Sequence, residues 1–234
     1  MQLFYTDNIE SEFYTLTEEE SKHCVRVLRM AVGDKLFLTD GQGTLAEACI
    51  VDAHPKRCEV RIENRKEHYG KRPYRLHLAV APTKNIARME WLVEKAVEIG
   101  IDSITFVVCQ HSERTTLNIE RLDKIAISAM KQSLKAYRPS IETMSFDMFM
   151  QQKFDGLRLI AHCEGDDRTP IQSALTERTN VLVLIGPEGD FSPQEVSTAL
   201  DNGFIAVTLG NSRLRTETAA LYSVVAANLI SCHN

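Results

Sequence analysis

Val181-Leu-Val-Leu-Ile185-Gly-Pro-Glu-Gly-Asp-Phe-Ser192 and Phe204-Ile-Ala-Val-Thr-Leu209-Gly-Asn-Ser-Arg-Leu-Arg-Thr-Glu-Thr218 each read as an apolar run that stops at a polar, glycine-bearing loop. Apolar runs of this kind are expected of strands buried on both faces of a parallel sheet. Each loop leads into a helix: Ser192-Pro193-Gln194-Glu195 is a capping box with proline at the first helical position, and Thr216 is placed to cap the apolar stretch from Ala219 to Ile230. In open α/β sheets the carboxyl ends of the strands border a crevice, and glycine there lets backbone amides approach a ligand closely. Singly, each loop is an ordinary tight turn. Together, each more elaborate than its turn requires, they point to a ligand site.

Working outward, strand and helix signals alternate back to residue 76. Leu76 to Ala81 reads as a buried strand and Asn85 to Ile99 as a helix whose Ile86, Met89, Leu92, Val93, Ala96 and Val97 share one face, ended by Gly100. Ser103 to Cys109 is the next strand, with a polar exit loop His111-Ser-Glu-Arg-Thr115. A longer helix follows, with Ile119, Leu122, Ile125, Ala126, Ala129, Met130, Ser133 and Leu134 on its apolar face. Phe146 to Phe154 is expected as a helix, Leu157 to His162 as a strand and Ile171 to Glu177 as a short helix. The count gives an α/β domain of about 160 residues with five or so parallel strands.

The first part of the chain differs. Thr17-Glu-Glu-Glu20 is a second capping box and predicts a helix over about 18–30 that carries Arg26 and Arg29. Lys35 to Thr39, Leu45 to Val51 and Arg57 to Glu63 are short strands, with a hairpin turn at Asp40-Gly41-Gln42-Gly43, the spacing of a small barrel. Gly41-Gln-Gly43 is no dinucleotide fingerprint, because no third glycine and no helix pattern follow. Residues 64–74 are polar, contain Gly70 and Pro73, and read as a linker.

Composition narrows the function. The 234 residues carry a net charge of −5. That charge is uneven: residues 1–60 hold 11 acidic and 6 basic side chains, residues 61–138 hold 9 and 15, and residues 139–234 hold 12 and 6. The basic middle is either a solvated helix face or a phosphate-contacting surface. Six cysteines, at 24, 49, 58, 109, 163 and 232, show no Cys-x-x-Cys spacing, so neither a zinc site nor a disulfide framework is indicated and no metal is expected. His162-Cys163 is not read as a nucleophile pair, since neighbouring side chains on a strand point to opposite faces. The apolar runs are too short to span a bilayer and the start of the chain lacks signal-peptide regions, which predicts a cytoplasmic protein.

The loops Ile185 to Ser192 and Leu209 to Ala219, with His23-Cys-Val-Arg-Val-Leu-Arg29, Lys84 to Gly100 and Ala129-Met-Lys-Gln-Ser133, resemble the bacterial RsmE family over nearly the whole chain. These are small-subunit (16S) ribosomal RNA uridine-N3 methyltransferases of the SPOUT superfamily. The resemblance implies a PUA-like β-barrel RNA-binding domain over 1–72 and a SPOUT-type α/β catalytic domain over 73–234, whose carboxyl-terminal chain forms a trefoil knot. It also implies a homodimer that binds S-adenosyl-L-methionine in the knot loops and methylates small-subunit ribosomal RNA, here expected on assembled or nearly assembled small subunits. The implied cofactor residues are His162, Cys163, Glu164, Ile185, Gly186, Pro187, Glu188, Gly189, Leu209, Gly210, Asn211, Leu214, Arg215 and Thr216. Asp190 stands where glycine is commoner in the family, Arg213 where an aliphatic residue is, and Lys131 where an acidic residue is.

Methylation at uracil N3 needs a positioned donor, loss of the N3 proton and a cation near the developing uracil anion. Arg215 is the candidate cation. Glu217 either accepts the proton or holds Arg215 by an ion pair. The expected RNA contacts are Arg26, Arg29, Lys84, Arg88, Arg114 and Gln132. Two other functions fit the residues: another RNA methyl transfer in the same fold, such as to a ribose 2′-hydroxyl, and a non-enzymatic RNA-binding ribosome assembly factor.

Overall fold

The computed structural model describes residues 2–163, 165, 167–176 and 179–231, without the side chain of Ser231. The chain divides into two compact units, Met1–Lys71 with Met130–Arg138, and Arg72–Ala129 with Pro139–Asn234. The expected carboxyl end of one helix at Glu177, and Cys232, lie outside the described residues.

The first unit is a mixed sheet of β1 (Leu3–Tyr5), β2 (Phe13–Thr15), β3 (Lys35–Thr39), β4 (Leu45–Asp52) and β5 (Glu59–Lys66), in the order β1-β3-β4-β5-β2. Among the described residues only the β1–β3 pair of this sheet is parallel. Among the described residues β1 and β2 form no ladder with each other, so the sheet is an open half-barrel. Its core is the inward set Phe4, Leu36, Leu38, Ala46, Ala48, Ile50 and Val60, every second residue of β3 and β4 as a half-buried sheet requires. The helix expected over 18–30 is shorter. It consists of α1 (Glu18–Lys22), capped by Thr17, and a π-helical turn over His23–Val27, and Arg29 beyond it takes a left-handed conformation with φ 57°. Strand β5 runs on to Lys66, three residues into the segment expected as linker. Gly43, at φ 108°, sits so close to the Tyr137 ring that a side chain there would collide with it, while its amide donates to the Ala136 carbonyl at 2.8 Å.

The second unit is a seven-stranded, wholly parallel sheet with helices on both faces. Its elements in chain order are β6 (Leu76–Val80), α2 (Ile86–Ile99), β7 (Ser103–Val108), α3 (Ile119–Gln132), β8 (Ser140–Ser145), α4 (Phe146–Met150), β9 (Leu157–Ala161), β10 (Thr169–Pro170), α5 (Ile171–Ala174), β11 (Val181–Ile185), α6 (Pro193–Asp201), β12 (Ile205–Thr208) and α7 (Thr216–Ser231). The spatial order is β10-β12-β9-β11-β6-β7-β8. β11 is buried at every residue, as a central parallel strand must be, and it pairs Val181 with Leu76 of β6 on one side and with Leu157 of β9 on the other. Phe146 and Phe149 of α4 and Ala199 of α6 share a core with Ala79, Ile160, Leu182 and Leu184. α7 packs on α2 and against β6 and β11.

Among the described residues seven strands replace the five or so expected. The additional ones are edges: β10 has two residues, and β8, Ser-Ile-Glu-Thr-Met-Ser, is largely polar, as an unprotected edge tends to be. α4 stops at Met150, short of the expected Phe154. Thr216 is the first residue of α7 and not a residue before it.

What positions the site is the strand order. β11 enters between β9 and β6, and β12 then pairs beyond β9, so the exits of β12, β9, β11 and β6 lie side by side at the carboxyl edge of one sheet.

Candidate active site

Three of the loops at that edge, those after β9, β11 and β6, are fastened to one another by backbone amides donating to side chains. Asp190, in the loop after β11, accepts from Cys163 N in the loop after β9 at 2.8 Å and from Phe191 N at 2.9 Å. Its backbone has φ 63°, a region that glycine enters freely and aspartate tolerates better than most residues. Glycine at this position would have the conformation but not the two hydrogen bonds. The Asp190 carbonyl is 3.0 Å from His111 Nδ1 in the loop after β7. Glu188 Oε1 accepts from Lys84 N at 3.2 Å, which ties the loop after β11 to the loop after β6.

The expected capping box forms: Ser192 Oγ accepts from Glu195 N at 3.3 Å, and Glu195 Oε2 accepts from Ser192 N at 2.9 Å. Glu195 also accepts from Gln110 N at 2.8 Å through Oε1. His111, Gln110 and Glu195 were not among the expected site residues. The capping pattern marks Glu195, but nothing local marks the other two.

The cofactor candidates divide by exposure. Ile185, Gly186 and Pro187 are buried, Glu188 and Gly189 exposed, Leu209 and Leu214 half-buried, and Gly210, Asn211 and Arg215 exposed. Gly210 has φ 110°, and a Cβ there would meet no heavy atom within 4 Å, so the loop leaves room beside its backbone. The His162 carbonyl accepts from Arg168 Nη1 at 2.7 Å. Burial first, then the Asp190 carboxylate, pushes the exposed Cys163 thiol above its ordinary value, which leaves little of the thiolate a nucleophile needs. Glu164 lies outside the described residues.

Of the two catalytic candidates, Arg215 is exposed and Glu217 is buried, as is the cofactor candidate Thr216. No Arg215–Glu217 ion pair forms among the described residues. Glu217 faces Arg88 instead, with Nε 3.5 Å from Oε1, and its Oε2 is buried without a hydrogen-bond partner. The reason is geometric: Arg215 precedes α7, whereas Arg88 lies in the first turn of α2, which packs on α7.

The expected RNA-contacting residues belong to both units. Arg26, Arg29 and Gln132 are exposed in the first. In the second, Lys84 pairs with Glu113 at 2.9 Å, and Arg114 Nη2 donates to the Lys84 carbonyl at 2.9 Å. Lys84, Arg88 and Arg114 therefore all have partners within their own chain. Among the described residues no group of three or more His, Cys, Asp or Glu is placed to hold a metal ion, and no helix is long and apolar enough to cross a membrane.

A family model described as an RNA methyltransferase domain matches residues 70–228, and one described as an RNA methyltransferase PUA domain matches residues 16–63. Ribosomal RNA small subunit methyltransferase E of Buchnera aphidicola is 28% identical over 96% of this chain and 91% of its own. Among solved structures, the "probable rRNA-methyltransferase" of Porphyromonas gingivalis superposes with a TM-score of 0.92 at 43% identity, covering 99% of this chain and 98% of that one. Ribosomal RNA small subunit methyltransferase E of Neisseria gonorrhoeae, bound to S-adenosyl methionine, gives 0.88 at 25% identity with the same coverage.

Proposed function

The chain belongs to the RNA methyltransferase family, and from that premise we propose that it transfers a methyl group from S-adenosyl-L-methionine to N3 of a specific uridine in small-subunit (16S) ribosomal RNA, on assembled or nearly assembled subunits. The observation that carries this reading is a set of interlocked loops at adjacent strand ends beside a buried carboxylate with a free oxygen. Backbone amides and the space beside Gly210 suit a ligand approached from the main chain. Ile185–Gly189, Leu209–Asn211, Leu214–Thr216, His162 and Cys163 would hold the cofactor, which when bound supplies an electrophilic methyl group on a sulfonium.

Glu217 is the proton acceptor in this proposal, and exposed Arg215 is the cation that steadies the uracil anion. The target base must be splayed out, because N3 lies on the pairing edge. Residues 1–72 serve as the RNA-binding domain, through Arg26 and Arg29. Residues 73–234 form the catalytic domain, with Lys84 and Arg114 at its RNA surface, while Gln132, which groups with the first unit, contacts RNA from there. The insertion of β11 between β9 and β6 supports a knotted carboxyl-terminal chain. A homodimer is supported by the exposed Tyr222, Val225 and Leu229, which form one apolar stripe on α7. Action on ribosomal RNA goes with a cytoplasmic location.

The test is methylation of purified small subunits and of naked 16S RNA by the purified protein, followed by mass spectrometry of the nucleosides. N3-methyluridine, formed faster on subunits, is expected. A methylated ribose would overturn the N3 assignment, and absence of both product and cofactor binding would favour an assembly factor.

A further inference from the structure

Glu217 has a side chain 9% exposed and, among the described residues, one counter-charge, Arg88. Arg88 Nε lies 3.5 Å from Oε1, and among the described residues the buried Oε2 has no hydrogen-bond partner. An ion pair with a purely structural role is expected to satisfy both oxygens, because a buried acceptor without a donor costs stability. The unsatisfied oxygen belongs to the first turn of α7, which follows the loop after β12, and Arg88 belongs to the first turn of the helix that follows β6. Both groups are thus at the carboxyl edge of the sheet, where the loops converge.

We propose that Arg88 is a positioning residue for uridine-N3 methylation, fixing Glu217 so that Oε2 is the acceptor for the imino N3–H of the target base. This rests on the function proposed above. Arg88 was expected to meet RNA phosphate, but its guanidinium faces a carboxylate already inside the protein. An ionised carboxylate only accepts hydrogen bonds. It therefore pairs with the N3–H of uracil and not with the bare N3 of cytosine, so the same oxygen that takes the proton also selects the base. In the step itself the N3–H proton passes to Oε2, the nitrogen electron pair so released forms the N3–CH3 bond, and the pair of the broken S–CH3 bond stays on sulfur. Glu217 ends neutral and the donor loses its positive charge, so charge balances.

Arg88→Gln, Arg88→Lys, Glu217→Gln and the Arg88→Gln/Glu217→Gln double variant test this by single-turnover methylation at saturating RNA and cofactor. RNA filter binding, cofactor calorimetry and thermal melting accompany each. Glu217→Gln should slow turnover by about 10²–10⁴-fold, the range for a general base. Arg88→Gln should slow it at least about tenfold while both affinities stay within about twofold, as expected of a group that acts only in the transition state. Arg88→Lys should recover part of the loss, and adding Arg88→Gln to Glu217→Gln should cost nothing more.

The proposal is overturned if Arg88→Gln weakens RNA binding at unchanged turnover, which would mark a phosphate contact. Equal losses from Arg88→Gln with and without Glu217 would also overturn it, as would a lower melting temperature with no rescue by lysine. A wild-type product methylated elsewhere than N3 overturns the function itself. An N3 product with uncoupled variants overturns only the role of Arg88.

Discussion

The two ends of the parallel sheet are built by opposite rules. At the amino end, Arg72 Nη1 donates to the Gly100 carbonyl at 2.9 Å and Asn228 Oδ1 at 3.0 Å, and its Nη2 meets Asp102 Oδ2 at 2.5 Å. Asp102 Oδ2 also accepts from Leu76 N at 2.7 Å, and Asn228 Nδ2 donates to the Gly100 carbonyl at 2.8 Å. Each of these side chains satisfies more than one neighbour. At the carboxyl end a carboxylate oxygen is left unpartnered, Asp190 takes a left-handed conformation, and a glycine loop has open space beside it. The first arrangement closes the chain on itself. The second keeps groups in reserve, and a site can be made only from groups the fold has not used.

Acid should break the satisfied end first. His77, one residue into β6, has Nε2 2.8 Å from Thr105 Oγ1, and the Thr105 hydroxyl donates to Glu142 Oε1 at 3.1 Å. That hydroxyl proton is committed, so His77 Nε2 is the donor in the first bond. Burial pushes the His77 imidazole down to about 4. The neutral ring is therefore the folded form, and its contribution is complete above about 6.5, the unfolded value. As pH falls from there toward 4 the unfolded chain binds the extra proton, and up to about 3 kcal/mol should be lost. Urea unfolding of the wild type and of His77→Gln over this window checks it, since the variant should show a shallower decline.

Asp102→Ala should cost about 2 kcal/mol of unfolding free energy, because charged hydrogen bonds to Arg72 and the Leu76 amide disappear together. Cofactor affinity, measured by calorimetry on the folded variant, should stay the same. A parallel loss of affinity would mean that the two ends are not independent. Gly210→Val sharpens the contrast from the other side. The added side chain enters the space beside the loop, so cofactor affinity of the folded variant should fall at least about tenfold, and because a valine resists φ 110° the melting temperature should drop as well. Ser192→Ala removes the cap of α6 and should cost about 1 kcal/mol. Differential scanning calorimetry resolves a change of that size.

Much of this architecture is legible in the sequence. β6, β7, β9, β11 and β12 and the helices between them follow from apolar periodicity, because buried faces impose it on the sequence. β1, β2, β8 and β10 escaped notice: they are short or polar edge strands, and an edge buries too little to leave a pattern. The glycine loops and the Ser192–Glu195 capping box announced themselves through local chemistry. The pairing of Glu217 did not. Arg215, two residues away, looked like its partner, yet Arg88 is the one that faces it.

By itself the sequence determined which segments form buried parallel strands, where they end in glycine loops, and which residue types lie in those loops. Period, turn chemistry and capping are all local, and a chain records them locally. Only the tertiary structure decided that β11 lies between β9 and β6, that Asp190 bridges two loops, and that Arg88 faces one oxygen of Glu217 while the other is buried without a hydrogen bond among the described residues. Those outcomes depend on which surfaces meet after folding, and contacts between residues distant in sequence leave no pattern in the segments that make them.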